Sequence, residues 1–531
     1  MPLADVGDQA IVGLAYLHEL GDVVRVVGPH LDDGHLCPRG DSQKRQRHSD
    51  VVVEIAFRGG DAVPAGQHFA DQVLGGGLAV GIEDLYKKYC GCRFRVTTDT
   101  RRIRGGEMFF ALKGENFDGN EYASKALDAG AAYAVVNESA PIASHVSEYI
   151  GAEGRSRIIP VPDTLRTLQD LARYHREHVL GDERLTVIGI TGTNGKTTTK
   201  ELIRTVLSAK YNVIATEGNF NNDIGVPLSL LKITPATQLA VIEMGANHPD
   251  DIAKLVQVCE PDYGIITNVG KAHLLGFGSF EGVQRAKGQL YDYVNAHGRA
   301  VFVNEDDPVL RSMCSQRAGL SIVPYGLVTD GCEVLETTPE NPYLRIRMND
   351  GKVLETKLVG AYNAANALAA ICIGKFFEVS EEDAIAKIAG YVPSNSRSQM
   401  VRTDRNVLIV DAYNANPSSM RASLANFFNM SAPAKAVMIG DMGELGDSSA
   451  EEHDDILKLL INNEVDKIFL VGKEFGKSLE AIPEEVIGRR IYWFASSDEL
   501  AAHLSEIKLA GYTILIKGSH SMRMEKTVPE L

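Results

Sequence analysis

Short apolar runs rich in β-branched residues alternate with amphipathic stretches along most of this chain of 531 residues. Residues 185–190, 239–244 and 300–304 are apolar enough for buried strands, whereas 197–210 and 280–294 have the spacing of helices. Apolar strands that alternate with amphipathic helices are typical of a parallel sheet covered on both faces. The pattern therefore predicts an α/β protein.

The alternation falls into three successive α/β units, for which we predict the boundaries 81–182, 183–393 and 394–531. The turn-rich sequence Gly-Tyr-Val-Pro-Ser-Asn-Ser at 390–396 marks the second boundary. Further strands are predicted at 94–97, 108–112, 132–136, 157–161, 263–269, 407–410, 436–439, 467–471 and 513–516. Further helices are predicted at 122–129, 249–258 and 363–377, and a β-rich patch at 333–358. Three domains agree with a length of roughly 100–200 residues per domain.

Residues 1–80 do not share this pattern. They contain five of the 14 histidines but no ligand spacing such as His-x-x-x-His. We therefore expect a poorly ordered extension, or a segment that does not belong to the native chain. A metal-binding module is the alternative, and its ligands would come from His18, His30, His35, His48 and His68.

Composition and charge exclude several classes of protein. Hydrophobic residues make up 44% and charged residues 23%, which is ordinary for a folded chain. The net charge of −16 argues against a nucleic-acid-binding protein, which needs a basic face. No apolar run reaches the roughly 18 residues of a membrane span, and the seven scattered cysteines are typical of a reducing compartment. We expect a cytoplasmic monomer that binds small molecules, with no nucleic acid and no membrane span.

The most informative motif is Gly-Thr-Asn-Gly-Lys-Thr-Thr at 192–198, between a predicted strand and a predicted helix. Glycines let backbone amides turn toward phosphate oxygens, and the helix N-terminus adds partial positive charge. Lys196 can reach the β- and γ-phosphates, and the Thr197 hydroxyl can ligate Mg²⁺. Ile190 stands where the strict pattern has its first glycine, so the motif is a shortened phosphate loop. The chain has no Asn-Lys-x-Asp guanine motif, which disfavours a hydrolytic GTPase.

Two polar residues follow later strands of the same predicted sheet. Glu243 ends the strand 239–244, and His273 follows the strand 263–269. Either residue alone is more often structural or solvated than functional. Because the carboxyl ends of parallel strands meet at one edge of a sheet, their order after a phosphate loop predicts a metal-dependent nucleotide site.

Together these residues resemble the Mur ligase family, the amino-acid-adding enzymes of peptidoglycan synthesis, over about residues 82–531. The loop at 192–198 is similar to the family's ATP loop, and the segments 219–225, 243–246, 304–307 and 360–366 are similar to later family elements. Family membership implies a small α/β domain for a UDP-linked substrate, a central parallel-sheet ATPase domain and a C-terminal Rossmann-like domain.

The finer resemblance is to the members that add D-alanyl-D-alanine to UDP-N-acetylmuramoyl-tripeptide. It rests on the segments 411–417 (Asp-Ala-Tyr-Asn-Ala-Asn-Pro), 440–446 (Gly-Asp-Met-Gly-Glu-Leu-Gly) and 517–523 (Lys-Gly-Ser-His-Ser-Met-Arg). The Asp-Asn-Pro-Arg sequence expected in members that add diaminopimelate or lysine is absent. Whether the third residue of the tripeptide is lysine or diaminopimelate stays open.

The resemblance implies an ADP-forming ligase whose substrate carboxylate is activated by ATP as an acyl phosphate, which the amine of the dipeptide then attacks. Lys196, Glu243 and His273 are the implied catalytic residues, together with Lys287. Thr197 with Glu243 would hold one Mg²⁺, and His273 would help to hold a second. Lys287 matches the lysine that such ligases carbamylate with CO₂, which would make it a metal ligand as well.

The resemblance also implies the binding residues. Those for ATP are Gly192, Thr193, Asn194, Gly195, Lys196, Thr197, Thr198, Asn304, Asp306, Asn363, Asn366, Arg397 and Asp411. Those for the substrates are Thr98, Asp99, Thr100, Arg101, Lys113, Asn116, Phe117, Asp118, Asn219, Asn222, Tyr413, Asn414, Asn416 and Lys517. The chain departs from common family residues at Asn120, Tyr362 and His520, so a nucleotide contact at Tyr362 is expected to differ.

Two other functions stay open at this point. One is a different ATP-dependent amide ligase, either similar to folylpolyglutamate synthetase or adding diaminopimelate. The other is a phosphate-loop ATPase that acts as a regulatory module, and whose ATP hydrolysis would not depend on an amine acceptor.

Overall fold

The structure is a computed structural model that describes residues 80–531, apart from 152, 153, 155, 182, 339, 340, 395, 396 and 489. The predicted N-terminal extension, except for Val80, lies outside the described residues. None of the helices in the described part of the chain combines the length and the apolar character that a membrane span requires.

The first part of the described chain is built on a small parallel sheet. Its helices are α1 (Ile82–Gly91), α2 (Ala123–Asp128) and α3 (Thr164–His178). Its strands are β1 (Val96–Thr97), β2 (Met108–Phe110), β3 (Lys113–Gly114), β4 (Phe117–Asp118), β5 (Tyr133–Asn137) and β6 (Ile158–Val161). The sheet order is β1-β2-β5-β6 with all pairs parallel, and β3 and β4 form a separate antiparallel hairpin.

The central part contains a six-stranded parallel sheet in the order β12-β11-β10-β7-β9-β8 and an antiparallel sheet in the order β13-β14-β15. Its strands are β7 (Thr186–Thr191), β8 (Val213–Ala215), β9 (Leu239–Glu243), β10 (Tyr263–Ile266), β11 (Ala300–Asn304), β12 (Ile322–Tyr325), β13 (Glu333–Leu335), β14 (Arg345–Arg347) and β15 (Val353–Glu355). Its helices are α4 (Lys196–Leu207), α5 (Gly225–Leu230), α6 (Asp251–Cys259), α7 (Leu274–Phe277), α8 (Phe280–His297), α9 (Pro308–Ser315), α10 (Ala364–Phe376) and α11 (Glu381–Gly390).

The C-terminal part contains a second six-stranded sheet, in the order β16-β17-β21-β18-β19-β20. Its strands are β16 (Gln399–Arg402), β17 (Val407–Asp411), β18 (Lys435–Gly440), β19 (Lys467–Val471), β20 (Ile491–Phe494) and β21 (Thr513–Lys517). Its helices are α12 (Pro417–Asn429), α13 (Ser449–Ile461), α14 (Lys473–Glu480), α15 (Glu484–Ile487) and α16 (Ser497–Ile507). The edge strand β16 pairs antiparallel with β17, and the other pairs are parallel.

Helix starts are set locally by polar side chains. The residue before each of five helices accepts a backbone N–H from the first turn, which satisfies a donor that the helix leaves free. These residues are Asp163, Ser279, Asp307, Ser380 and Ser496. Asn416 does the same for α12 and forms a reciprocal capping box with Ser419, which fixes the chain direction where the segment 411–417 ends.

Buried side chains form clusters that follow the sheets. One face of the first sheet and one face of the central sheet share a single cluster, which includes Leu85, Leu168, Ile242 and Leu290. The opposite face of the central sheet packs against α4, α10 and the antiparallel sheet. The C-terminal sheet has a cluster on each of its own faces.

The α/β prediction is confirmed, and each predicted strand has a counterpart with its ends shifted by a few residues. The predicted strand 94–97 was too long, because Arg93 and Phe94 have φ of 56° and 57°, which a strand cannot include. The predicted strand 263–269 ends at Ile266, because Thr267 and Asn268 bond to the phosphate loop instead. The strands β3, β4, β8, β12, β16 and β20 were not predicted.

Candidate active site

The phosphate-loop motif lies between β7 and α4, in the middle of the central sheet. Gly192 passes so close to Thr267 that a Cβ would lie 1.9 Å from Thr267 Oγ1, and Gly195 enters α4 with a left-handed φ of 79°. Both positions therefore require glycine. Asn268 fixes the loop, because its Oδ1 accepts the Asn194 N–H at 3.0 Å and its Nδ2 donates to the Asn194 carbonyl at 2.9 Å. The first-turn amides of α4 have no acceptor within the helix and can face an anion.

Lys196 opens α4, and its ammonium group folds back over the loop. Its Nζ donates to the Gly192 carbonyl at 2.9 Å and to the Thr193 carbonyl at 3.2 Å. Loss of water around the side chain lowers the pKa of Lys196; Glu243 opposes this shift and Arg397 adds to it. A phosphate in the loop would favour the charged ammonium and raise that pKa.

Thr197 and Glu243 meet beside the loop. Thr197 Oγ1 donates to Glu243 Oε2 at 2.9 Å, and Asn221 Nδ2 donates to Glu243 Oε1 at 2.9 Å. Hydroxyl and carboxylate oxygens are the ligands that Mg²⁺ prefers, and it usually keeps several waters. This pair therefore fits the predicted Mg²⁺. The described residues contain no group of three or more His, Cys, Asp or Glu that could hold a metal ion, so water and phosphate oxygens would have to complete its coordination.

His273 follows β10 with a left-handed φ of 52°, and its Nδ1 contacts the carboxylate of Glu444 from the C-terminal part. Burial lowers the pKa of His273, Glu444 opposes this, and the positive charges of Lys196 and Lys287 add to the lowering. Among the described residues, Nε2 of His273 has no hydrogen-bond partner, which leaves it available to a ligand.

Lys287 lies on α8, and only 2% of the residue is exposed. None of the hydrogen bonds and ion pairs between described residues involves its ammonium. Burial lowers the pKa of Lys287 well below its ordinary value, and the nearby charge of Lys196 adds to this. An unpaired buried ammonium is costly, so the neutral amine is favoured, and a neutral amine is the form that reacts with CO₂. The surroundings of Lys287 therefore fit the predicted carbamate.

The C-terminal part supplies a wall that carries several of the predicted residues. Lys517 Nζ donates to Asp411 Oδ2 at 2.6 Å, and the Arg397 guanidinium lies 3.8 Å from the centre of the Tyr413 ring. Burial by itself would raise the pKa of Asp411, but the Lys517 ammonium holds it below its ordinary value. Nε of Arg397 is buried without a partner among the described residues, so the guanidinium keeps a donor for a ligand.

Amide side chains join this wall to the phosphate loop. Asn416 Nδ2 donates to Asn194 Oδ1 at 2.8 Å, and Asn194 Nδ2 donates to Ser418 Oγ at 3.1 Å. The central and C-terminal parts therefore line one cavity of about 700 Å³. The predicted residues in its lining are Thr193, Asn194, Gly195, Lys196, Thr198, Asn219, Asn222, Glu243, His273, Asn363, Asn366, Arg397, Asp411, Tyr413, Asn414, Asn416 and Lys517.

Other predicted residues lie outside this lining. Gly192, Thr197 and Lys287 are buried behind it. Asn304 and Asp306 lie where β11 ends, and Asp306 Oδ2 accepts the Val328 N–H at 3.0 Å. The carboxylate of Asp306 therefore holds the turn after β12, and binding of ATP by Asn304 and Asp306 stays a prediction.

The predicted residues of the first part form two surface groups away from the cavity lining. Asp99 caps the 3-10 turn Thr100–Arg102, and hydrogen bonds from Arg101 lower the pKa of Asp99 to about 2. On the hairpin of β3 and β4, Lys113 Nζ lies 3.5 Å from Asp118 Oδ2. Phe117 is 52% exposed, and its ring stacks on Tyr122 at 5.2 Å. Thr98 and Asn116 lie in the adjoining loops.

The three residues that depart from common family residues have identifiable neighbours in the structure. The Tyr362 hydroxyl lies 2.9 Å from Ser398 Oγ at the cavity. Asn120 is buried, and its Oδ1 accepts the Asn137 N–H at 2.9 Å. The His520 ring lies 5.6 Å from the Tyr413 ring.

Several residues that line the cavity were missed from the sequence, among them Asp251, Lys254, Ser398, Ser418 and Glu444. Four of these carry no motif signal, and only folding brings them to the loop. Glu444 is the exception, because it belongs to the segment 440–446, whose sequence resembles a family motif.

Comparison with known proteins covers all three parts. Residues 95–176 match the Mur ligase family catalytic domain, 190–374 the Mur ligase middle domain and 396–520 the Mur ligase glutamate ligase domain. The UDP-N-acetylmuramoyl-tripeptide–D-alanyl-D-alanine ligase of Bacillus subtilis is 32% identical over 82% of this chain and 92% of its own.

Solved structures agree with the sequence comparison. A crystal structure of MurF from Acinetobacter baumannii superposes with a TM-score of 0.70 at 30% identity, over 82% of this chain and 93% of that one. The structure of MurF ligase from Thermotoga maritima in complex with ADP has a TM-score of 0.65 at 26% identity, over 82% of this chain and 96% of that one. Since the likeness in sequence and in structure extends through all three α/β parts, this chain belongs to the Mur ligase family.

Proposed function

We propose that this protein joins D-alanyl-D-alanine to UDP-N-acetylmuramoyl-tripeptide and converts ATP to ADP and phosphate, which gives the UDP-linked pentapeptide of peptidoglycan synthesis. The observation that carries the proposal is the shared cavity, in which a phosphate loop faces a wall of charged side chains from a second α/β sheet. The relatives named above, which are called ligases for this reaction, support the choice of substrates.

The reaction has two steps. An oxygen of the tripeptide's terminal carboxylate attacks the γ-phosphorus of ATP, and ADP leaves. The nitrogen of the dipeptide then attacks the carbonyl carbon of the acyl phosphate, loses a proton, and inorganic phosphate leaves with the former carboxylate oxygen. Both steps gather negative oxygen atoms, so fixed positive charges and amide donors contribute most of the stabilisation.

The geometry supports particular roles for the residues around the loop. Lys196 binds the β- and γ-phosphates, since its ammonium already lies against the loop carbonyls. Arg397 and Lys517 bind phosphoryl and carboxylate oxygens from the opposite part of the molecule. Closure of the two parts around the substrates would exclude water, which would otherwise hydrolyse the acyl phosphate.

The proposal includes two Mg²⁺ ions and a carbamate on Lys287. Thr197 with Glu243 would hold the first ion, and His273 with the Lys287 carbamate would help to hold the second. Bound Mg²⁺ neutralises phosphate charge and orients the transferred group. Carbamylation turns a buried cation into an anion, which suits a site that contains metal ions.

The UDP-linked substrate would be anchored by the first part of the chain. The exposed hairpin of β3 and β4 offers Lys113 and an aromatic face on Phe117, and the turn at 98–101 offers threonine hydroxyl groups. Asn219 and Asn222 at the cavity would receive the peptide end, close to the phosphate loop.

Phosphate release from purified protein with ATP and Mg²⁺ tests the proposal. UDP-N-acetylmuramoyl-tripeptide and D-alanyl-D-alanine are added separately and together. We expect release only with both substrates, and a product heavier by the dipeptide. Phosphate release that does not depend on the dipeptide would contradict the proposal and favour the regulatory ATPase. Release with another amine, such as diaminopimelate or glutamate, would favour a sister ligase.

A further inference from the structure

The segment 440–446 has no role in the two reaction steps, yet hydrogen bonds to buried and helical residues fix its position. The Asp441 carboxylate accepts the N–H groups of Glu474 at 2.9 Å and Phe475 at 3.0 Å, at the start of α14. The Met442 N–H donates to Nε2 of the buried His453 at 3.0 Å. The segment therefore leaves β18 along a path that two polar side chains determine.

Glu444 reaches from this segment to the cavity and contacts Nδ1 of His273 in the central part. Glu444 has a φ of 63° and His273 a φ of 52°. Left-handed backbone is uncommon for residues other than glycine and persists where the surrounding structure imposes it, often at functional sites. Both residues of this contact, His273 and Glu444, have such a conformation.

The two loops also pack against each other beside this contact. Gly446 has a φ of 56°, and a Cβ on it would lie 3.3 Å from Cδ1 of Leu275, on the helix α7 that follows His273. The segment 440–446 therefore docks on the loop that carries His273. The contact between the two side chains is part of an interface between the central and C-terminal parts.

A carboxylate that accepts the N–H of one ring nitrogen determines the tautomer and the orientation of a histidine. Here the Glu444 carboxylate lies against Nδ1, which is buried and has no other partner among the described residues, so Nε2 is the nitrogen left for a ligand in the cavity. We propose that Glu444 is a positioning residue, which orients His273 when the C-terminal part meets the phosphate loop. The inference rests on the proposed function, in which His273 acts beside the transferred phosphoryl group.

Replacing Glu444 tests this role in the full-length protein. Since 58% of the Glu444 side chain is exposed, Glu444→Ala should fold normally. We expect kcat to fall by about ten- to a hundredfold, as for other residues that orient a ligand, with little change in the KM of ATP and of both substrates. Glu444→Gln should recover much of kcat, because its amide oxygen can also accept the Nδ1 hydrogen.

Nitrogen NMR of histidine-labelled protein gives a second measurement. The His273 signal, identified by its loss in His273→Asn, should report the Nδ1–H tautomer in the wild type and a mixture of tautomers in Glu444→Ala. An unchanged tautomer, or an unchanged kcat in Glu444→Ala, would overturn the inference.

Glu452→Gln is the matched control. Glu452 Oε1 lies 3.6 Å from Lys271 Nζ, so this variant also weakens a charge contact between the central and C-terminal parts. We expect it to keep the wild-type kcat. An equal loss in both variants would overturn the positioning role and indicate that these contacts only hold the two parts together. Full activity of His273→Asn would instead contradict the role of His273 in the proposed function.

Discussion

Lys287 illustrates how burial changes the chemistry of one residue. In the sequence it is an ordinary lysine of an amphipathic helix, and only the family resemblance singles it out. In the structure it is buried with no partner among the described residues, and its pKa is lowered. Since the burial itself lowers the pKa, the structure favours a reactive neutral amine at the position that the resemblance singles out.

We predict that Lys287→Met, which keeps most of the side-chain volume, lowers turnover at least about tenfold without a comparable loss of stability. Turnover of the wild type should fall in CO₂-depleted buffer and return with bicarbonate, whereas the variant should not respond. Arg285→Ala, which removes an exposed cation from the same helix, should behave as the wild type does. A Lys287→Met enzyme with wild-type turnover at ambient CO₂ would contradict the carbamate.

The chemistry of single residues could be predicted only where it accompanies a local motif. Lys196 and Thr197 follow a glycine loop, and Glu243 ends an apolar strand, so sequence spacing alone places them near one another. Ser398 and Ser418 are polar residues of another sheet, and no local pattern relates them to the loop. Their approach depends on how two large parts pack, which the spacing of apolar residues does not encode.

At the scale of elements, α3 joins the first sheet to the central part through buried polar contacts. His175 lies between the Tyr86 hydroxyl, 3.2 Å from Nδ1, and the Ile233 carbonyl, 2.9 Å from Nε2. Arg176 donates to Asp262 Oδ2 at 2.8 Å and to Glu260 Oε2 at 3.1 Å. A neutral His175 with its hydrogen on Nε2 can donate to the Ile233 carbonyl and accept the Tyr86 hydroxyl hydrogen at Nδ1.

We predict that α3 makes stability depend on pH. Burial lowers the pKa of His175 from 6.5 to about 4, so between these values the unfolded chain binds a proton that the folded chain does not. The contribution of neutral His175 to the stability of the folded protein is complete above pH 6.5 and is lost as the pH falls toward 4. The free energy of unfolding, measured in urea, should therefore fall by about 2 kcal/mol between pH 7 and pH 5.

His175→Gln is the control for this prediction, because its amide nitrogen can still donate to the Ile233 carbonyl but does not titrate. Over the same pH range, the free energy of unfolding of the variant should fall by about 2 kcal/mol less than that of the wild type. An identical pH dependence in both proteins would show that other groups cause it.

Strands were predictable in proportion to their burial. β7, β9 and β10 are apolar on both faces and lie inside the central sheet, so their runs are unmistakable. The edge strands β12, β16 and β20 are four residues long and consist mostly of exposed or half-buried residues, so no long apolar run indicates them. The antiparallel direction of β16 follows from its short connection to β17, which cannot contain the crossover that a parallel pair requires.

At the scale of the whole molecule, the three successive α/β units could be predicted because strands and helices alternate in each. Their arrangement around one cavity could not, since it depends on contacts such as those of Asn194 with Asn416 and Ser418, more than 200 positions apart. The family resemblance supplied the three-domain architecture as an expectation, and the likeness to solved relatives confirms it.

The distribution of the buried clusters has a consequence for how the protein melts. The first and central sheets share one cluster, so they should unfold as one cooperative unit, whereas the C-terminal sheet has clusters of its own and can unfold separately. We predict two calorimetric transitions for the ligand-free protein, and a single transition would contradict this. A nucleotide bound to both sides of the cavity should draw the two melting temperatures together, because it stabilises only the state in which both units are intact.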